Sequence, residues 1–212
     1  MIRKNREETE WFEFEQLQGH PVEQGVFLQK PMQNAVYFNQ VHGKEIALVS
    51  RLEDTFTADG GITHIKGVAL AIRHADCQAA IFYDPMNQVI ATVHAGWRGM
   101  TQNIYQETVS KFARYYESKP ENLLVCIGPS LEPEHSEFVH YKNEFPESFW
   151  RFQEKPNYFN LWEIGRFQLT QAGILNHHIE ISCLGTYSSP HQFPSYRRSK
   201  TRERLTTLAS LI

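Results

Sequence analysis

Three segments of this sequence place residues that bind metals or act as nucleophiles beside small side chains. His42 precedes a glycine, Cys77 follows an Ala-Asp pair, and His94 begins the hexapeptide His-Ala-Gly-Trp-Arg-Gly. Two imidazoles and one thiol are a ligand set of catalytic zinc, which keeps one coordination position open. Each residue taken alone is more often a buried structural side chain, so the prediction depends on the three together. We therefore predict a metal-dependent enzyme with these three ligands.

Two further candidates lie close to Cys77 in the sequence. His74 precedes the cysteine by three positions, and Asp76 is its immediate neighbour. Residues one or three positions apart on an extended strand point to opposite faces of the sheet. His74 is therefore predicted as an extra ligand or general base only if the strand bends, and Asp76 as a supporting or general-base catalytic group. Cys77 and His94 could also act as a nucleophile and its base, which is an alternative chemistry for the same residues.

Cationic and aromatic residues near these segments predict the binding of an anion and a ring. Arg98 stands just before a predicted helix, where free backbone N–H groups attract anions, and its guanidinium can hold phosphate with two hydrogen bonds. Trp97 adds a stacking surface beside it. Tyr196 and Arg197 belong to a polar, aromatic loop near the C-terminus that suits the same ligands. The alternative is a simple turn with surface arginines, and the basic residues at 197–204 are equally typical of a solvated face.

The elements that must position these residues follow from the spacing of apolar side chains. Apolar runs bounded by turn residues predict buried strands at 68–72, 79–83, 89–93, 123–127 and 179–184. Apolar residues every four positions predict a helix at about 100–116, whereas residues 132–157 have no clear period and are predicted irregular or short-helical. Asn160 with a glutamate three residues later resembles a helix N-cap, and Gly173 would end that helix. The chain, residues 1–212, should form a single α/β (α+β) domain with a mixed β-sheet core flanked by helices.

Composition restricts the class of protein. The 212 residues, of which 41% are hydrophobic and 21% charged, suffice for one globular core, and no Pro/Gly/Ser-rich linker divides them. A formal charge of −3 argues against a nucleic-acid partner, and no apolar stretch has signal-peptide or membrane-spanning character. Three widely spaced cysteines, Cys77, Cys126 and Cys183, do not make a disulfide framework. We therefore expect a cytoplasmic protein without a membrane or nucleic-acid partner, and the sequence leaves its oligomeric state open.

Six short motifs resemble those of a known family in composition and order. They are Gln-Val-His-Gly at 40–43, Ala-Asp-Gly at 58–60, Ala-Asp-Cys at 75–77, His-Ala-Gly-Trp-Arg-Gly at 94–99, Ile-Gly-Pro-Ser at 127–130 and Ser-Tyr-Arg-Arg at 195–198. In these motifs the chain is similar to the YfiH-like family, also called multicopper polyphenol oxidoreductases or laccase-domain proteins. Its members include proteins called purine nucleoside phosphorylases and peptidoglycan-editing factors. The likeness covers residues 37–212, and residues 1–36 form a shortened N-terminal segment without the family's glycine-rich motif.

The resemblance implies a single α/β domain with a metal site, usually assigned to zinc, at His42, Cys77 and His94. It implies phosphorolysis of adenosine, inosine, guanosine and methylthioadenosine, together with adenosine deaminase activity in the same pocket. A small-molecule nucleoside and phosphate would then be the partners. Older family descriptions imply copper and phenol oxidation instead, and the editing factors imply a Cys/His hydrolase that acts on a cell-wall precursor.

The residue chemistry supports these activities unequally. Zinc lowers the pKa of a water molecule that can attack C6 of adenine, which accounts for deamination. Arg98, with Arg73 or Arg197, could hold the phosphate for phosphorolysis, while Trp97 or Tyr196 stacks on the base. Multicopper centres need many histidine ligands, and the 10 histidines of this chain do not form the expected His-x-His pairs.

Two departures from the family pattern lie beside the cysteine. His74 stands where the family usually has a small residue such as threonine, and Gln78 replaces a Leu-Pro pair. If His74 completed the coordination shell as a fourth ligand, the site would be structural and the protein a non-catalytic, metal-stabilised module. Structural zinc sites often contain a Cys-x₂-Cys pair, which this sequence lacks. The sequence therefore favours a catalytic zinc site over the closed structural one.

Overall fold

The computed structural model describes residues 1–6, 9–28, 31 and 34–212. Within them the chain forms the strands β1 (Ile2–Arg6), β2 (Thr9–Glu13), β3 (Val22–Phe27), β4 (Val36–Tyr37), β5 (Ala47–Leu48), β6 (Gly60–Thr63), β7 (Leu70–His74), β8 (Gln78–Asp84), β9 (Val89–Ala95), β10 (Leu124–Ile127), β11 (Gln153–Lys155), β12 (Tyr158–Phe159), β13 (Ile179–Ile181) and β14 (Leu205–Leu211). The α-helices are α1 (Trp97–Thr101), α2 (Ile104–Tyr116), α3 (Tyr141–Glu144), α4 (Glu147–Trp150), α5 (Leu161–Gln171) and α6 (Tyr196–Ser199). None of these helices is long and apolar enough to cross a membrane.

Two six-stranded sheets form the framework of the fold. The strand order is β1-β2-β3-β14-β7-β4 in the first sheet and β13-β10-β8-β9-β6-β5 in the second. Three pairs are parallel, namely β4 with β7, β5 with β6 and β10 with β13, and the remaining pairs in these sheets are antiparallel. The prediction of a mixed α/β fold with helices packed against mixed sheets is therefore confirmed.

The second sheet lies between the first sheet and the helices. β8 and β9 are buried along their full length, because successive side chains alternate between two covered faces. Ile81 and Tyr83 belong to the core that includes Phe14. Phe82 points the other way, where its ring centroid lies 6.2 Å from that of Phe112 in α2. Burial on both faces explains why the central strands read as continuous apolar runs in the sequence.

The predicted strands are present with shifted ends. β7 begins two residues later than predicted and extends to His74, so it carries more of the site than expected. The strand predicted at 179–184 ends at Ile181, because Cys183 has a φ of 50°, in the left-handed region that does not continue a strand. Residues 132–157, predicted irregular or short-helical, contain short helices and also a short strand, β11, which was not predicted.

The long helix predicted in the middle of the chain is two helices. Asn103 has a φ of 59°, so the chain is interrupted between α1 and α2. α1 already begins at Trp97, and the prediction that Arg98 precedes a helix is wrong: it is the second residue of a five-residue helix. The anion binding predicted for Arg98 would therefore depend on its guanidinium rather than on a long helix dipole. The predicted cap at Asn160 is confirmed, since its side chain accepts a hydrogen bond from the backbone N–H of Glu163 at 3.0 Å.

Candidate metal centre and its two cavities

The fold brings His42, Cys77 and His94 together from three separate segments. His42 lies in the loop after β4, Cys77 lies between β7 and β8, and His94 lies near the end of β9. One donor atom from each lies within 4.8 Å of the other two. The rings of His42 and His94 are nearly perpendicular, with centroids 4.8 Å apart. This geometry allows the three predicted ligands to hold one ion.

Two backbone turns present the ligands. His42 has a φ of 59° and Asp76 a φ of 85°, both in the left-handed region. Such a conformation costs a residue other than glycine about 1 kcal/mol or more, so neighbouring contacts have to stabilise it. Because of the turn at Asp76, the side chains of His74 and Cys77 no longer have to point to opposite faces of a strand. This turn is the bend that the prediction of His74 as an extra ligand required.

Gly96 lies directly against the three side chains. A Cβ atom at this position would lie 3.0 Å from Cδ2 of His42, 3.1 Å from Sγ of Cys77 and 3.8 Å from Cε1 of His94. A larger residue would therefore crowd the donor atoms, whereas glycine leaves space beside them. Two nitrogen donors and one sulfur donor around such a space fit zinc with one coordination position left open.

A buried carboxylate, Asp59, fixes two of the three ligands. Its Oδ1 lies 2.8 Å from Nδ1 of His94 and accepts a hydrogen bond from the backbone N–H of His42 at 2.9 Å. Its Oδ2 accepts hydrogen bonds from the N–H groups of Val41 and Gly43 at 3.2 and 2.7 Å. Burial raises the pKa of this carboxyl, but the hydrogen bonds from His94 and the loop lower it below its ordinary value. A carboxylate on Nδ1 orients the ring and leaves Nε2 as the ligand atom.

Interactions within the cluster shift the pKa values of Cys77 and His94. Burial raises the pKa of the Cys77 thiol, but hydrogen bonds with His42 and His94 and their charges outweigh it and lower the pKa to about 6. Burial lowers the pKa of His94, but its contacts with Asp59 and Cys77 raise it to about 9. The thiolate is the form that binds metals and the form that attacks as a nucleophile. The same electrostatics therefore suit a zinc site and a Cys–His pair.

The two further candidates in this segment make other contacts. His74 lies outside the three-residue cluster, with Nε2 2.9 Å from the hydroxyl of Thr207, and burial lowers its pKa to about 3. The carboxylate of Asp76 accepts hydrogen bonds from the hydroxyl of Thr186 at 2.7 Å and from the backbone N–H of Arg197 at 2.6 Å. Asp76 thus connects the C-terminal segment to the cluster. A general-base role for either residue stays a prediction.

Two cavities adjoin the cluster, and both are lined by His42, Cys77 and Tyr196. The first, of about 340 Å³, is called the aromatic cavity. Its other lining residues include Trp97, Phe138, Leu161, Arg98, Arg197 and Lys200. The second, of about 650 Å³, is called the arginine cavity. Its other lining residues include Phe38, Gln40, Arg73, Arg202 and Arg204.

Rings and guanidinium groups pack against each other in the aromatic cavity. The ring centroids of Trp97 and Phe138 lie 5.9 Å apart in an edge-to-face arrangement. The guanidinium of Arg98 lies 4.2 Å from the Trp97 ring centroid, and that of Arg197 lies 5.7 Å from the Phe138 centroid. Arg197 also donates a hydrogen bond to the carbonyl of Glu137 at 3.0 Å. The cavity therefore combines flat apolar surfaces with positive charge.

The structure separates the residues that the sequence grouped as substrate-binding. Arg98, Trp97 and Arg197 line the aromatic cavity, and Arg73 lines the arginine cavity. Tyr196 lines both. The suggested pair of Arg98 and Arg73 therefore does not share one wall.

Sequence reasoning missed the role of several residues. Asp59 was visible only as part of a short motif, since its partners are distant in sequence: His94 in β9 lies 35 positions away, and the loop at 41–43 lies 16 to 18 positions away. The run of basic residues at 197–204 predicted either an anion site or a solvated face. It did not indicate which of these side chains would line a cavity beside the cluster. The structure places Lys200 in one cavity and Arg202 in the other.

Arg198, between the cavity residues, has a structural contact pattern. Its Nη1 donates hydrogen bonds to the carbonyls of Thr186 and Tyr187 at 2.6 and 2.7 Å, and its Nη2 donates to the carbonyl of Phe193 at 2.8 Å. Three carbonyl acceptors occupy this guanidinium. Arg198 therefore ties α6, the helix that carries Tyr196 into the site, to the preceding segment at 186–193.

The chain is similar to named proteins over most of its length. The family model described as multi-copper polyphenol oxidoreductase laccase matches residues 24–212. A protein named purine nucleoside phosphorylase YfiH from Shigella flexneri is 31% identical over 188 residues, covering 84% of this chain and 74% of that protein. Its namesake from Escherichia coli (strain K12) is 30% identical over 188 residues with the same coverage.

Solved structures show the same fold. The Bacillus licheniformis hypothetical protein YfiH superimposes with a TM-score of 0.77 at 26% identity, covering 87% of this chain and 77% of that one. YlmD from Geobacillus stearothermophilus superimposes with a TM-score of 0.84 at 22% identity, covering 98% of each chain, and this likeness concerns the fold. By the family match and its relatives, the chain belongs to the multi-copper polyphenol oxidoreductase laccase family, to which its YfiH-like motifs had pointed.

Proposed function

We propose that this chain is a zinc-dependent purine nucleoside phosphorylase. The position of the His42–Cys77–His94 cluster between an aromatic cavity and a cationic one is the observation that supports this most. Relatives named purine nucleoside phosphorylase match most of the chain. The cavities, of about 340 and 650 Å³, have the size of small-molecule sites, which suits a nucleoside and phosphate as substrates.

The aromatic cavity suits the purine ring, and the arginine cavity suits phosphate. Trp97 and Tyr196 offer surfaces against which a base can lie. Arg98 was predicted to hold phosphate, but it and Arg197 line the aromatic cavity, so we assign their positive charge to the nucleoside and that of Arg73 to the phosphate. In phosphorolysis, a phosphate oxygen forms a bond to C1′ of the ribose while the bond from C1′ to the purine nitrogen breaks. The purine leaves with the electron pair and takes up a proton. Fixed cations and hydrogen-bond donors stabilise the charge that develops in this step.

The metal would be held by His42, Cys77 and His94, with Asp59 behind His94 as the group that fixes its ring. When bound, zinc supplies Lewis acidity and activation of water, the chemistry that removal of the adenine amino group requires. We therefore include adenosine deaminase activity at the same site. Adenosine, inosine, guanosine and methylthioadenosine are the proposed phosphorolysis substrates. Asp76, which lines the aromatic cavity, is proposed as a supporting general base.

Two alternative enzymes use the same residues. A multicopper oxidase needs several copper sites, whereas the described part of the chain contains one group of metal-binding geometry, so the copper assignment has less support. A Cys/His hydrolase is favoured by the lowered pKa of Cys77, to about 6, beside His94. The hydrolase would work without a metal, which separates it from the phosphorylase.

The free thiols of this chain favour a reducing compartment. Cys77, Cys126 and Cys183 are free thiols. Because the proposed site needs Cys77 as a thiolate ligand, oxidation would remove it. We propose the cytoplasm as the compartment in which the protein functions.

The direct test is incubation of metal-analysed protein with adenosine, with and without phosphate, followed by chromatography of the products. Formation of adenine and ribose 1-phosphate only with phosphate, plus some inosine, is the expected result. The chelated protein should lose both activities and recover them with added zinc. Turnover of a peptidoglycan precursor by the chelated protein, without nucleoside turnover, would favour the hydrolase. Absence of nucleoside turnover with stoichiometric zinc bound would contradict the proposal.

A further inference from the structure

We propose that the arginine cavity is a binding site for a phosphoryl group, held by Arg73, Arg202 and Arg204. The inference rests on the proposed function and deepens it, because it gives the phosphoryl group a cavity apart from that of the purine. The ligand is a tetrahedral phosphoryl oxyanion. It is supplied either as inorganic phosphate or as the phosphate ester of a nucleoside 5′-monophosphate.

No carboxylate on the wall of this cavity compensates its positive charge. Among the described residues that line it, three are arginines and none is an aspartate or a glutamate. No ion pair joins Arg73, Arg202 or Arg204 to an acidic side chain in the described ranges. By contrast, the surface residue Arg51 pairs with Asp54 at 3.6 Å. Like charges left together on one wall favour an anionic ligand there.

The backbone that carries Arg73 is fixed beside the cluster. Gln40 accepts a hydrogen bond from the N–H of Arg73 at 2.8 Å and donates one to its carbonyl at 2.8 Å. On the other side, β7 pairs with β14, where Arg73 stands opposite Thr206. Both sides of this strand segment are therefore held, while the side chain of Arg73 is exposed. Such a rigid attachment reduces the entropy lost when the side chain binds a ligand.

Arg204 is also partly ordered before any ligand binds. Its Nη1 donates hydrogen bonds to the carbonyls of Thr201 and Glu203 at 2.8 and 2.7 Å. Its guanidinium lies 5.9 Å from the ring centroid of Tyr196. The Nε and Nη2 groups take no part in these hydrogen bonds and can donate to an oxyanion.

A phosphoryl group fits these donors better than a single negative charge does. The planar guanidinium matches two phosphate oxygens with parallel hydrogen bonds, and three guanidiniums suit a dianion. The cavity also contains His42 and Cys77, so a phosphoryl group bound there lies on the wall that the ligands themselves form. Tyr196 stands at the boundary with the aromatic cavity, where the purine is proposed to bind.

The test uses a double variant and a charge-matched control. Arg73→Gln with Arg202→Gln removes two exposed side chains and leaves Arg204, which holds its own loop. Arg51→Gln with Arg114→Gln removes two exposed arginines that line neither cavity. Zinc-loaded proteins are titrated calorimetrically with inorganic phosphate, with inosine and with inosine 5′-monophosphate. The KM values for phosphate and for inosine are measured on the same proteins.

Weaker binding of inorganic phosphate by about tenfold in the double variant, with inosine binding unchanged, would support the site with free phosphate as its ligand. Loss of affinity for the monophosphate alone would support the site with the ester as its ligand. The site is refuted if the double variant binds both ligands as the control does, or if the unmodified protein binds neither.

The outcomes also separate this site from the proposed function. Calorimetry requires no turnover, so arginine-dependent phosphate binding without phosphorolysis would support the site and contradict the phosphorylase. Phosphorolysis with unchanged phosphate affinity and KM in the double variant, and no arginine-dependent binding of the monophosphate, would support the phosphorylase and contradict the site.

Discussion

The aromatic and arginine cavities share His42 and Cys77 but differ in the chemistry of their walls. One presents rings and leucine side chains with cations among them, and the other presents three guanidiniums. Both take walls from the segment at 196–204, which turns at Lys200 with a φ of 54°. Lys200, at the turn, lines the aromatic cavity, whereas Arg202, two residues later, lines the arginine cavity. One ligand cluster can therefore serve a ring and an oxyanion, and a short turn distributes the side chains between them.

Removal of Cys77, which lines both cavities, should have the largest effect. Cys77→Ala deletes the thiolate ligand, so we expect zinc binding and both nucleoside activities to be abolished, because two histidines alone leave an incomplete ligand set. The protein should stay folded, since the side chain is half-buried and outside the main core clusters. Elemental analysis, circular dichroism and the adenosine assay check the three expectations. Full activity in metal-free Cys77→Ala protein would contradict the metal enzyme.

Weakening the support of the cluster should have the next largest effect. Asp59→Asn removes the charge behind His94 and should weaken zinc binding by about 10–100-fold. The matched control is Asp84→Asn, another fully buried aspartate, which accepts hydrogen bonds from the turn after β8. Competition with a chelator measures zinc affinity. Equal loss in both variants would show a general effect on folding instead.

The thiols should differ in reactivity by about tenfold at neutral pH when the metal is removed, because the thiolate is the reactive form. The pKa of Cys77 is lowered to about 6, so its alkylation by iodoacetamide should rise through pH 6 and level off above it. Cys183 is exposed as a residue, but partial desolvation of its sulfur raises the pKa of its thiol, so its rate should still rise above pH 9. Mass spectrometry of the two peptides measures both rates, and zinc should protect only Cys77. Identical pH profiles would contradict the electrostatic account of the cluster.

Single arginine substitutions, one in each cavity, should have the smallest effects and sharpen the comparison. Arg73→Gln should raise the KM for phosphate severalfold, and Arg98→Ala should raise the KM for the nucleoside severalfold, because exposed charged contacts are worth about 1 kcal/mol. Steady-state kinetics with each substrate varied in turn measures both. If both substitutions raised the same KM, the division of substrates between the cavities would be wrong.

Much of this fold and of the ligand set could be predicted because the signals are local. β8 and β9 are buried on both faces, and such strands stand out as apolar runs. His42, Cys77 and His94 stand beside small residues near strand ends, so they could be predicted as candidate ligands before their convergence was known.

The rest of the site depends on contacts between distant segments. Asp59 supports His94 from 35 positions away, and a carboxylate beside glycines has many other uses. Arg197 and Arg198 are adjacent in the sequence, yet one lines a cavity and the other binds three carbonyls. The direction of each side chain follows from a four-residue helix and the turn at Lys200, for which sequence periodicity carries no signal.

The most direct test of the central claim is a crystal structure of zinc-loaded protein with a nucleoside analogue and phosphate, with diffraction recorded at the zinc absorption edge. The account predicts one anomalous peak bound by His42, Cys77 and His94, with the purine in the aromatic cavity. It predicts the phosphate beside Arg73 in the arginine cavity. A zinc peak away from these three residues, or a purine and phosphate together in one cavity, would contradict it.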